Sequence, residues 1–218
     1  MTLRASTLIP SELVYFNAEK LVSSKGVFNK TGLLHTDVQV NRVELAQHML
    51  AAAFLANEQA GLMRLELRQK NVMFGLGSKT ALFADPTGQP PRWEGPCLEA
   101  DLLAAAGRAA NSEVESIVAA WLARDYSDPY DELFSRVKMN LAGRGLLDMQ
   151  EERKLKIFVS RSFSLPAEAR AFIAAQPLGP LTALLQGCQN SRPQVWQELV
   201  KQIKKAVDSR QEKMDVDS

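Results

Sequence analysis

The chain has 218 residues, 46% hydrophobic and 23% charged, with 26 Lys and Arg against 25 Asp and Glu for a formal net charge of +1. That length and apolar content suffice for one large domain or two small ones that share a core. The near-neutral balance argues against a protein that coats nucleic acid, whose affinity rests on many cations neutralising phosphates.

In chain order, "IPSELVYFNAEKLV" predicts a first helix, with Pro10 near its start, Ser11 as a cap, and Leu13, Phe16 and Val22 on one face. "SSKGVFNKTG" breaks it. "NRVELAQHMLAAAFLANEQAG" is the strongest helix, with Asn41 as cap, Glu44 completing a capping box and Gly61 at its end. From Met49 to Ala56 it is apolar on all sides and belongs at the centre of the core. Next, Leu65 and Leu67 alternate with Arg64, Glu66 and Arg68, which predicts a hairpin that turns at "RQKN" and returns over Val72 to Leu76. A short strand, Ala81 to Ala84, runs into the Pro- and Gly-rich "DPTGQPPRWEGP" loop.

"LEADLLAAAGRAA" and "SEVESIVAAWLARDY" predict two helices, the second with Ser112 and Glu115 in capping-box spacing. Asp128-Pro129 opens another, with Leu133, Phe134, Val137 and Leu141 inward and Asp131, Glu132, Ser135, Arg136 and Lys138 outward. A helix follows near Pro166, then a short one in "PLGPLTALLQG". "SRPQVWQELVKQIKKAV" reads as a long amphipathic helix with Lys201, Lys204 and Lys205 behind a Val195, Leu199, Ile203, Val207 stripe.

Two segments echo each other. "AFLANEQAGLMRLELRQKNVMFGL" and "VKMNLAGRGLLDMQEERKLKIFVS" each run helix, glycine, two large apolar residues, charged stretch and strand. A glycine with φ > 0 would end each buried helix, and a hairpin would cover its end. The expected fold is mainly α: a compact helical domain over residues 1–208 with short β-hairpins in winged-helix-like pseudo-repeats. Residues 209–218 are expected as a flexible tail.

Catalytic and metal chemistry find little footing. Cys97 and Cys188 are too few for a disulfide framework and, with His35 and His48, lack metal-ligand spacing, so reduced thiols and no metal or cofactor are expected. The histidines have no acid or serine nearby in any catalytic order. "FGLGSKT" lacks the glycine-to-lysine spacing of a phosphate loop. Met49 to Leu55 is far short of the roughly 20 apolar residues that cross a bilayer, and "MTLRASTLIPSEL" is not a secretory leader. No enzyme is predicted.

Three surfaces invite a partner. Arg153, Lys154 and Lys156, offset by Glu151 and Glu152, could form a membrane-facing wing with Phe158 and Phe163 as anchors, or simply a solvated turn. Arg92 and Trp93 pair a cation with an amphipathic ring, suited to a membrane interface, a protein partner, or a loop stapled to the core. The last helix has the form of a basic amphipathic surface helix, a form also taken by packed terminal helices. As winged helices, neither unit offers the cationic face that phosphate contact demands.

The segments "IPSELVYF", "LAAAFLANEQAGLMRLEL", "ADPTGQPP" and "FSRVKMNLAGRGLLDMQEERKLKIFVSRSFSLP" together resemble the Golgi phosphoprotein 3-like family over roughly residues 8 to 175. Gln89 stands where that pattern has an acid, and Ala60 where it has Arg. The resemblance implies a mostly helical, non-enzymatic adaptor, cytoplasmic and peripheral on a membrane (the Golgi in a eukaryote). Its implied ligands are phosphoinositide-type anionic headgroups or membrane-protein tails. The family's headgroup Trp and Arg positions fall on Val40, Leu50, Asp131 and Phe134, so none is retained. Candidate lipid-contacting residues are therefore Arg92, Trp93, Arg136, Arg153, Lys154 and Lys156. The alternative is a tandem winged-helix protein that binds nucleic acid or scaffolds a complex.

Overall fold

The architecture is organised around one helix whose middle water does not reach. In this computed structural model, which describes residues 7–23, 29–71, 78–90, 93–122, 128–154 and 158–217, α3 (Arg42–Gln59) keeps every residue from Met49 to Ala56 at 3% exposure or less. Asn41 starts it, its side-chain oxygen accepting from the backbone N–H groups of Val43 and Glu44 at 3.0 and 3.1 Å. Glu44 does not close a capping box. Its carboxylate accepts instead from the Ser23 N–H at 3.0 Å, tying α3 to the preceding segment.

The remaining elements wrap α3. The first helical stretch is two pieces, α1 (Pro10–Phe16) and α2 (Ala18–Leu21), broken at Asn17, whose side chain donates back to the Leu13 carbonyl. Pro10 occupies the first turn as expected. Ile9 is the N-cap rather than Ser11, because Glu12 reaches back to the Ile9 N–H at 3.2 Å while Ser11 is buried against α4 (Leu98–Ala106). Between α2 and α3, β1 (Lys30–Gly32) and β2 (Gln39–Asn41) pair antiparallel, a short ladder that the turn-rich sequence hid.

Downstream, β3 (Met63–Asn71) and β4 (Ser78–Pro86) form a nine-residue antiparallel ladder. The expected turn at "RQKN" is therefore strand, with Gln69 opposite Thr80 and Lys70 opposite Lys79. The return strand is 78–86, and the predicted one at 72–76 lies outside the described residues. After α4 comes α5 (Val114–Trp121). Ser112 does not cap it, since its carbonyl accepts from the Ala84 N–H and its hydroxyl donates to Asp85, both in β4.

Helix α6 (Pro129–Gly143) starts as predicted, Asp128 accepting from the Tyr130 and Asp131 N–H groups, with Leu133, Phe134, Val137 and Leu141 buried. It leads into β5 (Asp148–Lys154) and β6 (Phe158–Ser164), then α7 (Ala167–Ala174), α8 (Gly179–Ser191) and α9 (Pro193–Asp217). The last helix continues through residues 209–217, where the sequence reading placed a tail. Its Val195, Leu199, Ile203 and Val207 stripe is buried as expected. Among the described residues the fold thus comprises nine helices and three two-stranded antiparallel ladders, mainly α in class.

The two echoing units end their helices identically. The Gly61 N–H donates to the Glu58 carbonyl and the Leu62 N–H to that of Asn57, at 2.9 and 2.8 Å. In the second unit Gly145 donates to Ala142 and Leu146 to Leu141, both at 2.9 Å. This doubled reversal requires a left-handed residue, and Gly61 (φ 71°) and Gly145 (φ 77°) supply it. Leu62, Met63, Leu146 and Leu147 then plug the core at 2% exposure or less.

Candidate functional site

The β5–β6 ladder stands apart from the rest of the surface. From Asp148 to Glu152 on β5, and at Ser160, Arg161, Ser162 and Ser164 on β6, the described residues are exposed. One side chain is out of character: Met149 is 43% exposed, matched among the described large hydrophobics only by Val38 at 40%. Met149 sits opposite half-buried Phe163, with Glu151 opposite Arg161 on the next pair of the same face. Arg161 Nε donates to Glu151 at 2.8 Å, and its Nη1 reaches the Met139 sulfur of α6. That face of the hairpin combines one neutralised charge pair with an apolar side chain.

Of the sequence candidates whose side chains are described, Trp93 and Arg136, each is held by a partner within the fold. Trp93 is half-buried and donates its indole N–H to Asn57 Oδ1 at 2.8 Å, so the loop is stapled to the end of α3. Arg136 Nε donates to Asp101 Oδ2 at 2.9 Å, joining α6 to α4. In β5, Arg153 pairs with Val159 and Lys154 with Phe158, which puts the two cations at neighbouring register positions at the end of the ladder. Arg92 and Lys156 lie outside the described residues, as do the side chains at 153, 154, 158 and 159. The basic back of α9 is matched by acids: Lys201 lies 2.6 Å from Glu198, Lys205 lies 2.7 Å from Glu115, and Lys204 pairs with Asp208.

Beneath this surface runs a polar network that sequence reasoning missed. Fully buried Glu99 accepts from both the N–H and the hydroxyl of Ser11, at 2.9 and 2.8 Å, while its carbonyl accepts from Asn57 Nδ2. Burial pushes the Glu99 carboxyl up to about 7 against the pull of those Ser11 hydrogen bonds, and neighbouring Glu12 adds to the rise. Glu12 is itself raised by burial, opposed by Arg144, whose Nη1 donates to both its oxygens at 2.5 and 2.7 Å. The network joins α1, α4 and the C-terminal turns of α3 and α6. It ties these elements together, with half-buried Arg144 at its solvent edge. The only sequence hint was a buried-helix Asn57 and an acid at the start of α4.

A second correction concerns His35. Read linearly it had no acidic neighbour, but the fold brings Glu19 to it, Oε2 lying 3.3 Å from Nε2. Both cysteines are free and buried, with the Cys97 thiol pushed up to about 12 by burial and nearby Glu99. Among the described residues no cluster of His, Cys, Asp or Glu is placed to hold a metal ion, and no helix is long and apolar enough to cross a membrane. Comparison with family models, with curated proteins and with solved structures finds no match to this chain.

Proposed function

We propose that the chain is a non-enzymatic adaptor that binds peripherally to a membrane through its β5–β6 hairpin. Anionic, phosphoinositide-type headgroups are its first target and membrane-protein tails the second. The observation that carries this reading is Met149, an apolar side chain 43% exposed on the β5–β6 ladder, whose first strand ends in Arg153 and Lys154. Burying the exposed part of this side chain contributes about 1 kcal/mol, under half of the roughly 1.5–3 kcal/mol for a fully exposed one. Each cation near an anionic leaflet adds about 1 kcal/mol, partly offset here by Glu151 and Glu152. One hairpin would then give weak, reversible attachment, strengthened by a second copy or a membrane-protein partner. The ordered resemblance to Golgi phosphoprotein 3-like proteins supports the same reading.

Flotation with phosphatidylcholine vesicles, with and without phosphatidylserine and phosphatidylinositol 4-phosphate, tests it. Flotation with the anionic vesicles alone, lost in Met149→Asp, is expected. Failure to float with either rules out the lipid arm and leaves the tail arm.

The matching glycine caps favour a second reading, a tandem winged-helix-like protein that binds nucleic acid or scaffolds a complex. Within the fold Arg42 pairs with Asp128, Glu44 with Ser23, Asn57 with Glu99 and Glu58 with Arg192, and on α6 Arg136 pairs with Asp101 and Arg144 with Glu12, so a duplex would have to displace such pairs on either helix. A duplex-DNA mobility shift that weakens steeply with salt, with no vesicle flotation, would select this reading.

A further inference from the structure

Apart from the hairpin surface, a cleft of about 290 Å³ opens where the α1–α2 junction meets α7. Its apolar lining is Phe16 and Ile173, both buried, with half-buried Leu165 and Leu178. Its charged lining is Glu19, Lys20, His35 and Arg170. Glu19 is engaged by His35 Nε2, and the imidazole lies edge-on to Phe16 with ring centres 5.7 Å apart. The other ring nitrogen, Nδ1, is buried with no hydrogen-bond partner among the described residues.

The two cations differ from most of the molecule's. Arg42, Arg68, Arg136, Arg144, Arg161 and Arg192 each lie against a carboxylate. Arg170 is exposed and pairs with no carboxylate among the described residues, and Lys20 donates to the neutral amide oxygen of Asn17 at 3.2 Å. Two cations without acidic partners therefore share one small cleft with a single carboxylate that is already occupied.

We infer that this cleft binds a small amphipathic organic anion, a carboxylate carried on an apolar tail. The carboxylate is held by Arg170 and Lys20, and the tail lies along Phe16, Leu165, Ile173 and Leu178. Arg170 suits the group because its planar fork matches a carboxylate with two parallel hydrogen bonds. A monoanion is selected over a phosphate dianion because Glu19 stands in the wall, and its repulsion grows with ligand charge. The volume sits at the small end of ligand pockets, which restricts the tail to a short chain or a single ring.

Calorimetric titration of the full chain with octanoate, octylammonium and acetate tests this. Octanoate is expected to bind at one saturable site, with no saturation by acetate or octylammonium over the same concentrations. Arg170→Gln and Lys20→Gln, both at exposed positions, should each weaken octanoate by about tenfold. Lys201→Gln, which alters a lysine already held by Glu198, should leave it unchanged, and circular dichroism checks that each variant is folded. Equal binding of octylammonium and octanoate, saturation by acetate at octanoate's affinity, indifference to both cleft substitutions, or no octanoate binding would each overturn the inference.

Discussion

Leu65 and Met149 stand at the same place in the two helix–glycine–hairpin units, each four residues past its glycine (61 to 65, 145 to 149), yet Leu65 is 6% exposed and Met149 43%. The caps are alike to the hydrogen bond, so the difference arises after them. The β3–β4 ladder is packed on its far side too: Phe83 bridges to Glu113, Lys70 reaches Glu113, and Arg68 lies 4.9 Å from the Phe83 ring while pairing with Asp85. Among its described side chains, the β5–β6 ladder meets the body through Phe163 and the Arg161–Met139 contact, and the others are exposed. A glycine cap therefore fixes how a helix ends and leaves open whether the hairpin becomes core or surface. The first ladder buries Met63, Leu65, Ala81, Leu82 and Ala84, whereas among the described side chains of the second only Phe163 is half-buried and the others are exposed.

The sharpest way to break the comparison is to place the same charge at both positions. Leu65→Asp should destabilise by about 4 kcal/mol or more, because an unpaired carboxylate enters the core. Met149→Asp should stay within about 0.5 kcal/mol, both read from urea unfolding. Similar losses at the two sites would mean that the second hairpin is covered in solution.

Next is the residue that differs at the helix C-caps, Ala60 in the first unit and Arg144 in the second. Arg144→Met strands Glu12 in the core and should cost about 3–5 kcal/mol, with Glu12→Gln in the same chain recovering part of it.

Near the first unit's cap, Asn57 holds the backbone carbonyl of Glu99, whose carboxyl is buried against Ser11. That carboxyl ionises near 7 instead of the ordinary 4.5, so between those values the folded chain keeps a proton that the unfolded chain has released. Stability should therefore fall as pH rises through that window, by up to ~3 kcal/mol, with Glu12 acting in the same direction. Glu99→Gln should flatten this slope in urea midpoints measured across the window. The smallest effect tests the caps themselves: Gly61→Ala and Gly145→Ala should each cost about 1 kcal/mol, and equally, since both replace a residue at positive φ.

Much of this was legible in the residues. The Asn41 and Asp128 caps, the apolar run from Met49 to Ala56 and the inward face of α6 all depend on local spacing, and all stand where the pattern put them. Ser11, Glu44 and Ser112 were misread because each found a tertiary partner better than its local one: Glu99, Ser23 and Asp85 respectively. The β3–β4 turn was placed too early because polar Gln69 and Lys70 look like a turn until their partners across the ladder are known. The His35–Glu19 pair and the cleft around it are joined across the fold from α1 to α8, and no local pattern marks them.

Helix α9 touches α3, α5, α6, α8 and both strands of the β3–β4 ladder. Since α3 is the centre of the core, the side chains that seal its α9 side are the last of the described elements to be synthesised. A chain growing at roughly 5–20 residues per second therefore exposes the apolar Met49–Ala56 stretch of α3 for several seconds or more before its cover emerges. During that interval α3 is a natural client for chaperones, and a chain shortened within α9 would stay in that state.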